Sequence, residues 1–114
     1  MKRKAIMPLT RDFRLTMKER ADHDAVFRKA LLAEAVELLV ANCLDDGKLM
    51  LRDYINATIG FKQLGKKLNR SAKNLMRSLS VTGNPTMSNL FEIIEALQKR
   101  EGITLKVTSK SAAA

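Results

Sequence analysis

The stretch QLGKKLNRSAKNLMRSL, Gln63 to Leu79, most constrains what this chain can fold into. Leu64 and Leu68 lie one helical turn apart, as do Leu75 and Leu79, and the two pairs flank Asn69-Arg70. Asparagine accepts the left-handed conformation better than any residue except glycine. Ser71, two positions on, is a natural N-cap. The pattern therefore predicts two short helices joined by a tight turn rather than one rod. Gly65 supplies the small residue that two closely crossing helices need.

The charge of this region is one-sided. The chain carries a net charge of +9, yet residues 21–60 hold four basic and seven acidic side chains. From Tyr54 to Phe91 there are six basic residues (Lys62, Lys66, Lys67, Arg70, Lys73, Arg77) and no acid. A surface built only for solubility mixes both signs. A purely cationic segment favours a polyanionic partner.

These features meet the demands of a helix-turn-helix spanning residues 61–80. Leu64, Leu68, Leu75 and Leu79 fasten the pair to a core, Asn69 makes the turn and Ser71 caps the second helix. The positions left facing outward on that helix are Ala72, Lys73, Asn74 and Arg77. Lys and Arg can donate to guanine edges, Asn can pair with adenine, and an alanine methyl can touch a thymine methyl. Lys62, Gln63, Lys66 and Arg70 are expected to flank the groove and, where cationic, to meet phosphates, and Ser71 is counted with them among the DNA-contacting residues.

The rest of the chain reads as helical. Residues 1–22 form a basic arm followed by a short helix in TRDFRLTMKERA; residues 23–107 form one helical domain; 108–114 are a disordered tail. A long helix starts at Asp22 or Asp24 and runs to about Cys43. Its apolar residues, among them Val26, Phe27, Leu31, Leu32, Val36, Leu39 and Val40, cover most of its circumference, more than a single small core uses. It is read either as a central core helix or as a helix part of which meets another chain. LDDG (44–47) is read as a helix break before KLMLRDYINATIG. In VTGNP, Gly83 suits a positive φ and Pro85 cannot continue a helix. Thr86 then caps MSNLFEIIEALQKRE, Gly102 ends it, and ITLKV alternates as a short strand. The fold class expected is all-α, a lambda-repressor-like helix-turn-helix domain with a long N-terminal helix and a short C-terminal β-strand.

Several of these segments, namely LRD (51–53), QLGKKLNRS, LMRSLSVTGNPTMSNLFEIIEAL and GITLKV, together resemble a bacterial family: the addiction-module antidote proteins, Xre/Cro-type regulators of type II toxin–antitoxin loci. The most specific piece is Leu79-Ser80-x-x-Gly83-Asn84-Pro85 joined to the following leucine-rich helix. The resemblance covers about residues 50–107. The chain departs from the family at Asn69, where glycine is usual, at Ala72 and Lys73, where arginine and glutamate are common, and at Met76, where tyrosine is common. QKRE (98–101) looks inserted. The resemblance implies a homodimeric, operator-binding antitoxin that represses its own operon and neutralises a RelE/ParE-like toxin in the bacterial cytoplasm, associated with the nucleoid.

Other classes fit less well. No window approaches eighteen uninterrupted apolar residues, so no membrane partner is expected. MKRKAIMPLTRDF has no apolar core and is not read as a secretion signal. A lone cysteine excludes an intrachain disulfide and fits a reducing compartment. Cys43, next to Val40, Ala41 and Leu44, is read as a buried thiol. One Cys and one His are too few for a structural zinc site, and no cofactor or metal is expected. No glycine-rich phosphate loop or nucleophile–base arrangement appears, so an enzyme is not expected. The rings Phe13, Phe27, Tyr54, Phe61 and Phe91 are read as core anchors, which argues against a stacking platform for single strands. Alternatives to the specific regulator are an antidote or interaction module without specific DNA binding, and a nonspecific nucleic-acid-binding protein.

Overall fold

The computed structural model describes residues 11–112, with side chains described from Thr16 onward. Residues 1–9 of the expected arm, and the side chain of Phe13, lie outside these. All regular structure among the described residues is helical. The order is α1 (Arg11–His23), α2 (Ala25–Val40), α3 (Leu44–Ala57), α4 (Phe61–Leu68), α5 (Ala72–Ser78) and α6 (Met87–Glu101).

Local chemistry sets most of the boundaries. The Asp24 carboxylate accepts the Phe27 N–H at 3.0 Å and starts α2. The Arg20 guanidinium sits 4.3 Å from the centre of the half-buried Phe27 ring, across the α1–α2 corner. Such a stacked cation stabilises the corner modestly. The Thr86 hydroxyl accepts the Asn89 N–H and opens α6. Gly102 closes α6 at φ 69°, a left-handed cap that glycine adopts without strain.

The α2–α3 junction differs from the sequence expectation. LDDG does not break the helix: α3 begins at Leu44 and includes it. Asp45 and Asp46 occupy the first turn, where acids complement the helix dipole. The break falls earlier, at Ala41–Cys43, with Asn42 at φ 66°. Gly47 sits inside α3 because α2 is close by. A Cβ there would lie 2.7 Å from Leu39 Cδ2 and 3.2 Å from the Ala35 carbonyl. Cys43 is exposed, as are Val40, Ala41 and Leu44. The connection turns outward, so apolar neighbours in sequence do not bury the thiol.

The core draws Leu32 and Ala35 from α2, Leu51, Tyr54 and Ile55 from α3, Phe61 and Leu64 from α4, Leu75 from α5, Leu79 just after it, and Ile93 and Leu97 from α6. Burying a leucine fully stabilises by about 1.5–3 kcal/mol, so these residues hold the short helices in place.

The expected strand at ITLKV does not form; the described residues after α6 carry no regular structure. Ile103 and Leu105 pack against the core instead, and the Leu105 N–H donates to Gln98 Oε1 at 2.6 Å. Among the described residues no other strand offers a ladder partner; Ile103 and Leu105 are satisfied by packing on helices, while Val107 is left exposed. The QKRE segment completes the last turn of α6 and contributes a buried polar anchor.

That anchor is Glu101, whose side chain is 1% exposed. Arg28 Nε donates to both its oxygens at 3.1 and 3.2 Å, and Arg28 Nη1 donates to the Ala21 carbonyl at 2.7 Å. The Tyr54 hydroxyl also donates to Glu101, and Arg100 Nη1 donates at 2.9 Å. One carboxylate thus ties α2, α3 and α6 together. Burial, reinforced by Glu101, raises the Tyr54 pKa above its ordinary value of 10.0. A raised pKa means that the neutral phenol stabilises the fold fully below about pH 10, and the contribution fades as pH climbs beyond it. Removing one partner of such a pair leaves the other uncompensated. Glu101→Ala is expected to cost about 3 kcal/mol, read as a lower urea midpoint with an unchanged slope.

Candidate nucleic-acid interface

The interface candidate is built from α4, the turn after it, and α5. A turn this tight depends on Gly65. A Cβ at that position would stand 2.6 Å from the Arg70 carbonyl and 3.3 Å from the Ala72 nitrogen. Backbone atoms cannot move aside as a flexible side chain can, so only glycine lets the chain fold back here. Asn69 takes φ 56° and ψ 46°, the left-handed conformation expected of it. The Arg70 N–H then donates to the Gly65 carbonyl at 2.9 Å and closes the end of α4.

α5 is short, seven residues, and is held at both ends. Ser71 Oγ accepts the Asn74 N–H at 3.0 Å. At the other end Ser80 Oγ donates to the Arg77 carbonyl at 2.7 Å. Gly83 presses on the Arg77 and Ser78 carbonyls, leaving no room for a Cβ. This corrects the expectation of a positive φ at Gly83; the glycines with positive φ are Gly60 and Gly102. Space, not backbone handedness, demands glycine at 83.

Lys48, on α3, ties this loop down. Its side chain is 10% exposed, and Nζ donates to the Gly83 carbonyl at 2.7 Å and the Val81 carbonyl at 3.4 Å, with Asp45 3.9 Å away. A mostly buried ammonium is tolerable only with such partners. Nothing in the local sequence marks this lysine as structural, because its acceptors are more than thirty residues away.

With Leu75 and Leu79 buried beneath, Lys73, Asn74 and Arg77 are exposed. Lys73 and Arg77 are four residues apart and share a face of α5. Arg77 Nη1 donates to Asn74 Oδ1 at 3.4 Å. On α4, Lys62, Gln63, Lys66 and Lys67 are exposed. Two residues depart from their expected roles. Ala72 is half-buried and packs against the core, so its methyl is not freely presented. The first turn of α5 lies too close to Gly65 to leave that side open. Arg70 is not a free cation: Nη2 donates to Glu92 Oε1 of α6 at 2.6 Å. Ser71 is engaged as a cap.

A second surface lies elsewhere. Val36, Leu39 and Val40 of α2, Leu44, Pro85, and Met87, Leu90, Phe91 and Ile94 of the α6 side line an apolar groove of about 360 Å³. Phe91, expected in the core, is 55% exposed on its rim, and Met87 is 75% exposed. Among the described residues no group of three or more His, Cys, Asp or Glu could hold a metal ion, and no helix is long and apolar enough to cross a membrane. Comparison of the chain with family models, with curated proteins and with solved structures finds no match in any of the three.

The Ser71 cap leads to a direct test. Ser71→Ala is expected to cost about 1 kcal/mol of stability. The loss should concentrate in α5, seen as faster hydrogen exchange there than in α2.

Proposed function

We propose that the protein is a sequence-specific reader of duplex DNA, with α4, the Asn69 turn and α5 acting as a lambda-repressor-like helix-turn-helix. The observation that carries this reading is the division of α5. Its leucine side is anchored in the core, while Lys73, Asn74 and Arg77 stand exposed within a stretch of chain that has no acid. A short helix with a donor-rich outer face suits a major groove, where Lys and Arg meet guanine and Asn meets adenine. Lys62, Lys66 and Lys67 on α4 supply exposed cations for phosphate.

The wider role follows the family resemblance alone. In that reading the protein is the antitoxin of a bacterial type II locus, binds its operator as a homodimer, represses its own operon and neutralises a RelE/ParE-like toxin. Its compartment would be the cytoplasm, on the nucleoid. A second reading, an antidote or interaction module without specific DNA binding, draws on the apolar groove between α2 and α6. A nonspecific nucleic-acid-binding protein would bind every duplex alike. Co-expression with the product of the adjacent reading frame, followed by a DNA-binding assay on any complex, separates the interaction module from the regulator.

Fluorescence anisotropy with DNA from upstream of the gene, against a scrambled duplex, should show a clear preference; equal affinity would remove the specific reader. On the preferred site, Lys73→Ala or Arg77→Ala should each cost about 1–3 kcal/mol of binding free energy. Lys66→Ala should instead weaken all duplexes alike and flatten the salt dependence by about one phosphate contact.

A further inference from the structure

We propose that Glu92 sets the strength of phosphate binding by the α4–α5 surface, because it occupies Arg70 with an intramolecular ion pair that a phosphate must displace. This rests on the duplex-binding reading above. The acid-free stretch of the sequence ends at Phe91, and the next residue is Glu92. α6 carries that carboxylate back to the α4–α5 turn, where it meets Arg70 at 2.6 Å. Both side chains remain partly exposed, 35% for Arg70 and 46% for Glu92. Solvent and a competing anion can therefore reach the pair.

Two opposite effects of Glu92 have to be weighed. The ion pair could help binding by fixing the turn, or hinder it by neutralising a cation. The turn has its own fixings: Asn69 in the left-handed conformation, the Arg70 N–H on the Gly65 carbonyl, the Ser71 cap, and Leu64 and Leu75 in the core. None of these involves the Arg70 guanidinium. Losing the ion pair leaves the backbone where it is, so competition is the larger effect. An exposed pair of this kind is weak enough for phosphate to replace it. Glu95, one turn further along α6, lies 3.8 Å from Lys99 and serves as a charge-matched comparison.

The exchange has a definite signature. In the wild type, Glu92 holds Arg70 away from phosphate for most of the time, so Arg70 contributes little. With Glu92 neutralised, Arg70 meets phosphate as a free cation. Glu92→Gln should tighten binding to a mixed-sequence 30-base-pair duplex by about two- to fivefold at low salt. The slope of log affinity against log salt should steepen by up to about 0.9, one added phosphate. Glu95→Gln changes net charge equally and should have a smaller effect. In an Arg70→Gln background, Glu92→Gln should fall to the level of Glu95→Gln.

Anisotropy titrations of the full chain and these variants, with circular dichroism to verify folding, decide the matter. Unchanged or weaker binding by folded Glu92→Gln, or equal effects of Glu92→Gln and Glu95→Gln, would overturn the role of Glu92 while leaving duplex binding intact. Should Glu92→Gln fail to fold, Arg70→Gln alone still decides: little change in wild-type affinity supports the pairing, and a full one-phosphate loss overturns it. Absence of wild-type binding to any duplex would instead defeat the underlying reading of the surface, and this inference with it.

Discussion

The close approach of Gly65 to the Arg70 carbonyl fixes the angle at which α4 hands the chain to α5. Every other feature of the candidate interface inherits that angle. The Asn69 turn, the Ser71 cap and the burial of Leu75 and Leu79 are compatible only if the chain doubles back at Asn69–Arg70 and passes close over Gly65. The outward residues of α5 are then defined by elimination, since its remaining face is committed to the core. Backbone crowding thus chooses which cations meet solvent. The same crowding turns Ala72 inward and shortens the set of candidate base-contacting groups to Lys73, Asn74 and Arg77.

A second level of support comes from buried charge. Lys48 and Glu101 are the two charged residues with little exposure among the core residues described. Each bridges parts of the chain distant in sequence. Lys48 binds the loop that closes α5, and Glu101 gathers Arg28, Tyr54 and Arg100. Their desolvation is offset by several partners apiece, as burial of an ion requires. These directional contacts join α6 and the loop before it to α2 and α3.

Local chemistry was legible in the sequence, and long-range geometry was not. The caps at Ser71 and Thr86, the left-handed Asn69 and the end of α6 at Gly102 each depend on a few adjacent residues, and all are found where the sequence places them; of the two cap candidates Asp22 and Asp24, it is Asp24 that starts α2. Gly47 and Gly83 were misread because the reason for glycine there lies in another segment: Leu39 for one, the carbonyls of Arg77 and Ser78 for the other. Alternation at ITLKV signals a strand only when a neighbouring strand exists to pair with it. Here Ile103 and Leu105 fold onto helices and Val107 stays exposed. The engagement of Arg70 by Glu92 spans twenty-two residues and leaves no local trace. On the site itself, the exposure of Lys73, Asn74 and Arg77 was readable from the spacing of Leu75 and Leu79, whereas the burial of Ala72 required knowledge of the turn.

The brevity of α5 has a practical consequence. Seven residues are too few to sustain a helix in water without outside help, because nucleation consumes most of what so few hydrogen bonds return. A synthetic fragment covering residues 61–80 would be a random coil, and grafting those residues onto an unrelated carrier would transplant the letters without the shape. Any recognition by this surface would belong to the exposed edge of a whole domain, not to a portable word.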